Sequence, residues 1–321
     1  RQIIKILELE GWAAPGELKQ STMQRHLYDA GLGVKQMKRY AEKRERSSRR
    51  FCRPHRMELL QGDIKYGPDI RTTEGELIKT YLSSLIDDHS RYIVQSEFYD
   101  NQGQEIVEDT FHKAVLKAGK FDCAYLDRGS QYTAGHLQKA CAKLGIRILH
   151  AKPGACESKG KIEKFHQRVD QFIAEVRVAH VHSVEELNRR WKVFLEQEYQ
   201  KEAHEGIREY YKSYGVEVAA CGITPEQEWL RDERGLVFLD VSVVAEAFRH
   251  REKRRIDGAG CFSFRGRKYE ASTAFANLEV EIAYDPMDTD TVTVYCSGAE
   301  PVAARRMEIG AYAAKKPEVP L

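Results

Sequence analysis

Several features are missing from this 321-residue chain, and each absence removes a class of protein. There is no run of about 18 or more apolar residues, so no membrane-spanning helix and no membrane partner are expected. No charged-then-apolar segment opens the chain, so no secretion signal is expected. The chain begins at Arg1 rather than Met and is expected to be a fragment of a longer protein. Seven cysteines (Cys52, Cys123, Cys141, Cys156, Cys221, Cys261, Cys296) are odd in number, scattered and never paired as CxxC. That pattern argues against a disulfide scaffold or a zinc site and for reduced thiols in a cytoplasmic protein. No internal repeat and no low-complexity tract is present.

What remains is 42% apolar and 31% charged, with a mean hydropathy of −0.58, a soluble globular composition. At this length two or three domains are expected. The net charge of +2 decides little, but its distribution is uneven. From Lys35 to Arg56 ten Lys and Arg face only Glu42 and Glu45. Such a run is either a solvated linker or a stretch that meets phosphates, with Arg49 and Arg50 at its centre.

Along the chain the pattern changes three times. Residues 1–46 read as short helices broken by Gly11, Pro15-Gly16 and Gly31, with Ser21 or Thr22 as N-cap of a helix through Tyr28 and a second helix from Val34 to about Arg46. Exposed Gln24, Arg25 and His26 fit a helix-turn-helix, and an ordinary helical hairpin fits equally. After a basic linker, 47–56, the segment 57–180 alternates strands and helices. Strands are expected at Met57–Tyr66, Leu77–Ile86, Arg91–Phe98, Phe121–Leu126 and Ile146–Leu149, with helices at Gln104–Ala118, Ala134–Leu144 and Glu157–Val178. This is an α/β sandwich on a mixed sheet. A helical extension, 181–235, opens on a Ser183 cap. Residues 236–310 read as a small all-β barrel of about five short strands, and 311–321 as a disordered tail.

Three carboxylates stand out. Asp63 lies inside a strand, where a charge needs exposure or a partner. Asp127 ends the next buried strand, at the edge where open sheets place ligands. Glu163 lies one step from the apolar face of its helix, with 35 residues between it and Asp127. Singly each reads as a turn residue, an N-cap or a solvated rim residue. Together, carboxylates converging from separate elements suit a pair of hard divalent cations.

Ordered motifs sharpen this. Gln61-Gly62-Asp63, Ile86-Asp87-Asp88-His89-Ser90-Arg91, Leu126-Asp127-Arg128-Gly129-Ser130-Gln131-Tyr132 and Ser158-Lys159-Gly160-Lys161-Ile162-Glu163-Lys164 follow one another in a set order. With Tyr199–His204 and Gly222-Ile223-Thr224-Pro225 after them, the chain resembles the DDE transposases and retroviral integrases. Arg254–Gly258, Phe264–Tyr269 and Val280–Pro286 resemble the C-terminal domain of the Mu transposase branch.

The resemblance implies a ribonuclease-H-like α/β core with a five-stranded mixed sheet, preceded by a helix-turn-helix segment and followed by a DNA-binding barrel. It implies two Mg²⁺ ions, with Mn²⁺ as substitute, held by Asp63, Asp127 and Glu163. It also implies nicking of a transposon end by water and joining of the freed 3′-hydroxyl to target DNA. Implied partners are DNA, further copies of the chain assembled on it, and an accessory transposition protein, in a cytoplasmic, nucleoid-associated setting. Arg25, Arg49, Arg50, Arg128, Lys152, Lys159 and Lys161 are candidate phosphate contacts. Arg128 departs from the Asn usual in the family, and its guanidinium either competes with the cation or holds a phosphate. The rival readings are a DNA-binding protein derived from a transposase with impaired catalysis, and a nuclease of this fold that only hydrolyses.

Overall fold

The computed structural model describes residues 2–33, 36, 52–127, 129, 132, 135–151 and 160–307. The expected second N-terminal helix, the tail, Arg49, Arg50, Arg128, Lys152 and Lys159 therefore lie outside the described residues. The chain divides into two compact units, residues 1–51 and 52–321.

In the first unit, α1 spans Gln2–Leu9 and α2 spans Gln20–Asp29. The expected cap at Ser21 or Thr22 is corrected: both lie within the first turn, and Lys19 occupies the cap with no side-chain hydrogen bond. No residue of α2 is buried, and Ile6, Leu9 and Trp12 are more than half exposed. The described part of this unit therefore has no apolar core of its own.

The second unit is built on a five-stranded sheet. Its strands are β1 (Leu59–Tyr66), β4 (Tyr81–Asp87), β5 (Ile93–Tyr99), β6 (Cys123–Leu126) and β7 (Arg147–His150), in the order β5-β4-β1-β6-β7. β1 pairs antiparallel with β4 and parallel with β6, and β6 pairs parallel with β7. The expected strand Leu77–Ile86 is split. Leu77–Ile78 (β3) instead makes a two-residue ladder with Ile70–Arg71 (β2), while Thr80 Oγ1 donates to the Pro68 carbonyl at 2.6 Å. Parallel neighbours need crossovers, and these are α3 (Gln104–Ala118) and α4 (Gly135–Lys143).

One face of the sheet is covered by α3, α4 and α9 (Val241–Phe248), burying Phe111, Val115, Leu137, Val244 and Phe248 with Leu60, Leu85 and Leu126. The helix α9 corrects the expectation of β structure from Leu236 onward. Its β-branched valines favour a strand locally, but Asp240 caps the first turn. Val244, Ala247 and Phe248 also recur at helical spacing against α3 and α4, so tertiary burial overrides propensity.

The other face carries α5 (Gly160–Ala179) and α6 (Val184–Gln197). Ile162, Phe165, Val169, Phe172, Ile173 and Val176 form the buried stripe of α5, each worth roughly 1.5–3 kcal/mol. They meet an aromatic cluster of Phe98, Trp191 and Phe194. Ser183 caps α6 as expected, accepting from the Glu186 amide at 3.1 Å. After α6 come α7 (Glu205–Ser213) and α8 (Pro225–Arg231), the latter opened by a Thr224–Gln227 capping box.

The C-terminal sheet has six antiparallel strands: β8 (His250–Arg255), β9 (Cys261–Phe264), β10 (Arg267–Glu270), β11 (Glu279–Tyr284), β12 (Thr291–Tyr295) and β13 (Val302–Arg306). Their order, β8-β11-β12-β13-β10-β9, curls into a nearly closed barrel. Phe262, Phe264, Tyr269, Val280, Ile282, Val292 and Val294 fill it.

Candidate active site

The parallel pairing of β1 and β6 sets the geometry of the site. Leu59 stands opposite Cys123, Leu60 opposite Ala124 and Gln61 opposite Tyr125. Two further steps of the same register bring Asp63 opposite Asp127, just past the end of β6. Gly62 leaves room for neighbouring side chains: a Cβ there would lie 2.5 Å from Leu126 Cδ2 and 3.1 Å from Leu85 Cδ2. Asp127 then leaves the strand in a tight turn. Its Oδ1 accepts from the Gly129 amide at 2.8 Å, and its carbonyl accepts from His150 Nδ1 at 2.8 Å.

Tyr132 packs beneath this pair, 3% exposed, and its buried hydroxyl has no hydrogen-bond partner. Burial first, then the charges of Asp63 and Asp127, push its phenol well above its ordinary range. Above the pair runs α5. His166 Nδ1 lies 3.8 Å from Asp63 Oδ2, and Asp170 pairs with Lys65 at 2.9 Å. Glu163, His166 and Asp170, spaced three and four apart, lie along one side of the helix, the side that faces β1. Glu163 is in the first turn and exposed.

Asp63 and Asp127 thus stand on neighbouring strands, Glu163 lies exposed in the first turn of α5, and the three are not closed into a cage. Among the described residues, the trio of His, Cys, Asp or Glu whose ligand atoms all lie within 4.8 Å is a different one, Glu108, His136 and His250. His166 and Tyr132 were not singled out by sequence reasoning. The usable signals were the three-residue spacing of His166 from Glu163 and the place of Tyr132 in the Asp127 motif.

The turn after β4 has a role that the motif alone does not reveal. Asp87, Asp88, His89, Ser90 and Arg91 are all buried. Asp87 accepts from the Met57 amide at 2.9 Å and from both the amide and hydroxyl of Ser90, while burial pushes its carboxyl above the usual range. Asp88 Oδ1 accepts from Gln61 Nε2 at 2.9 Å and Oδ2 from the Arg53 amide at 2.8 Å. Lys161 Nζ also donates to Asp88, to its carbonyl at 2.9 Å and to Oδ1. Two residues before Glu163, its ammonium serves to fasten the start of α5 to the sheet. Arg25, by contrast, is exposed on α2.

Residues 52–56, expected as the end of a basic linker, are also tied into this unit. The Arg56 amide donates to Asp232 Oδ2 at 2.8 Å and its guanidinium to the Trp229 and Arg234 carbonyls. His89 closes the same network, with Nδ1 2.9 Å from the Arg53 carbonyl and Nε2 2.9 Å from Glu228 Oε1.

A sheet of this order, with two carboxylates on adjoining parallel strands and a helix laid over them, defines an integrase-type core. Residues 53–156 match the integrase core domain family and residues 245–300 the Mu transposase C-terminal family. The chain belongs to the DDE transposase and integrase superfamily. The transposase for transposon Tn552 of Staphylococcus aureus is 23% identical to it over 248 residues, 69% of this chain and 48% of that protein. The chain therefore spans about half the length of that relative. Among solved structures, the magnesium complex of the HTLV-2 integrase catalytic core is 12% identical with a TM-score of 0.39, covering 55% of this chain and 98% of that one. A simian T-cell lymphotropic virus intasome bound to a PP2A regulatory subunit is 12% identical with a TM-score of 0.43, covering 89% and 95%.

Proposed function

We propose that this chain catalyses metal-dependent nicking of a DNA end and its transfer to target DNA. The observation that carries the reading is the register that sets Asp63 against Asp127, with Glu163 on the helix above. The donor set suits a hard cation. It consists of carboxylate oxygens from three separate elements, and the Tyr132 hydroxyl beside them is buried without a partner. Asp63, Asp127 and Glu163 would hold Mg²⁺, with Mn²⁺ as substitute, and two such ions supply nucleophile activation and leaving-group stabilisation in phosphoryl transfer.

The chain's own residues do the rest. Gly62 leaves room for the Leu126 and Leu85 side chains beside the aspartates. His166 orients Asp63 from the helix. Asp88 and Lys161 fix the start of α5 and so aim Glu163. DNA is the substrate, engaged by Arg25 and, outside the described residues, by Arg49, Arg50, Arg128, Lys152 and Lys159, with the barrel as a further DNA-binding surface. Paired ends would be held by several copies of the chain, with an accessory transposition protein as a further partner in the bacterial cytoplasm.

The test is incubation of the full chain with Mg²⁺ and a pre-nicked end of its element, scored for joining to a plasmid. Asp63→Asn, Asp127→Asn and Glu163→Gln should each abolish product while keeping the melting curve and DNA affinity, and Glu157→Gln should keep most activity. Joining by Glu163→Gln at the wild-type rate would overturn the assignment. Tight DNA binding without product from the unaltered chain, in Mg²⁺ and in Mn²⁺, would favour the DNA-binding alternative.

A further inference from the structure

Away from the carboxylate pair, three side chains from distant parts of the chain meet. Glu108 comes from the middle of α3 and is 2% exposed, His136 comes from the first turn of α4, and His250 opens β8 of the barrel. His250 Nε2 lies 2.5 Å from Glu108 Oε2, and His136 Nδ1 lies 3.3 Å from Glu108 Oε1. The imidazole centroids are 3.6 Å apart.

The tautomer of His136 follows from its other nitrogen. Nε2 sits 3.1 Å from the Arg249 carbonyl, which can only accept, so Nε2 carries the proton. In the neutral ring Nδ1 is then a lone pair facing a carboxylate oxygen. Both atoms are buried, and neither makes a hydrogen bond. Two unsatisfied lone-pair atoms aimed at one another are costly unless a positive charge lies between them, either a metal ion or the second imidazole proton that Glu108 favours on His136. A metal-ligating histidine usually donates its remote N–H to a carboxylate or backbone carbonyl, as His136 Nε2 does to the Arg249 carbonyl. Ligands about 2.0–2.1 Å from a tetrahedral Zn²⁺ are roughly 3.3 Å apart, the separation of His136 Nδ1 and Glu108 Oε1, while the shorter His250–Glu108 contact of 2.5 Å is a hydrogen bond that the ion would replace.

We propose that Glu108, His136 and His250 form a Zn²⁺ site that fastens the barrel to the α3–α4 face of the core. Three protein ligands leave one position for water. Imidazole ligands favour Zn²⁺ over Mg²⁺, which separates this site chemically from the oxygen-only donors at Asp63 and Asp127. The cysteine pattern argued against a zinc site, but it bears only on thiolate ligands. The cysteines bear no relation to this site, whose ligands stand 28 and 114 residues apart in sequence.

The experiment uses the full chain, stripped with chelator and titrated with ZnCl₂, with bound metal counted by mass spectrometry. One Zn²⁺ per chain and a raised melting temperature are expected. His136→Ala and Glu108→Gln should each weaken binding by more than the roughly 10–100-fold that loss of an outer partner costs. An Asp63→Asn/Asp127→Asn double variant should bind Zn²⁺ here unchanged. Because a ligand variant that misfolds would also lose metal, Co²⁺ added to the unaltered chain supplies an independent reading. Visible bands of a four-coordinate nitrogen and oxygen site, without thiolate charge transfer, support the proposal. Absence of those bands, or Zn²⁺ affinity unchanged in a folded His136→Ala chain, overturns it.

Discussion

Lys161 Nζ lies 2.5 Å from Oδ1 of Asp88, whose side chain is wholly buried. Removing one partner of such a pair leaves a charge in the interior without its counterion. Lys161→Met should therefore cost about 3 kcal/mol, the lower end of the usual range, because Gln61 and the Arg53 amide still reach Asp88. It should also slow DNA joining, because the start of α5 carries Glu163. Urea denaturation at pH 7 checks the first effect and single-turnover joining the second. An unchanged urea midpoint would mean that the remaining donors satisfy Asp88 by themselves.

Tyr132→Phe should separate stability from function. The hydroxyl is buried without a hydrogen bond, so removing it should leave the metal-free melting temperature unchanged or raise it slightly. The rise in melting temperature caused by Mg²⁺ or Mn²⁺ should shrink. A clear loss of metal-free stability would show that the oxygen serves the fold instead.

His89 gives the protein an alkaline weakness. Burial lowers the basicity of its ring, but the Cys52 sulfur, the Glu228 carboxylate and the Arg53 carbonyl outweigh this and raise its pKa to about 10. A raised folded value means that the stabilisation is complete below the ordinary 6.5 and drains away as pH rises through about 10. Glu228 and Asp232 are lowered, again with burial opposing the shift, so their share fails only in acid. Urea midpoints should fall between about pH 6.5 and 10, and His89→Gln should flatten that slope. A slope unaltered in the variant would assign the loss to other groups.

Deleting residues 1–51 should leave the second unit folded, because the ties to Asp88, Asp232 and the Trp229 carbonyl begin at Arg53 and Arg56. DNA affinity should drop and its salt dependence flatten as the basic run is lost. Equal salt slopes for the two lengths would remove the N-terminal segment from DNA recognition.

Much of this was legible in the residues. The apolar stripe of α5 and the Ser183 cap were readable because period and capping are local properties. The level placement of Asp63 and Asp127 was not, because it depends on which strands pair and in what register. The inward turn of Lys161 was hidden for a similar reason. A lysine beside a glutamate looks the same in sequence whether it meets a phosphate or a buried aspartate 73 residues earlier. The α9 segment misled because Val241, Val243 and Val244 favour a strand until their neighbours on α3 and α4 are known. Glu108, His136 and His250 offered no spacing rule, since folding alone brings them together.

The two apolar layers on either side of the central sheet have no buried side chain in common. The aspartates stand on the sheet itself, whereas Glu163 rides on the layer of Phe165, Phe172 and Trp191. Repacking that layer can therefore slide one carboxylate past the other two without touching their register. The aromatic residues of that layer thus set how near Glu163 stands to the aspartates.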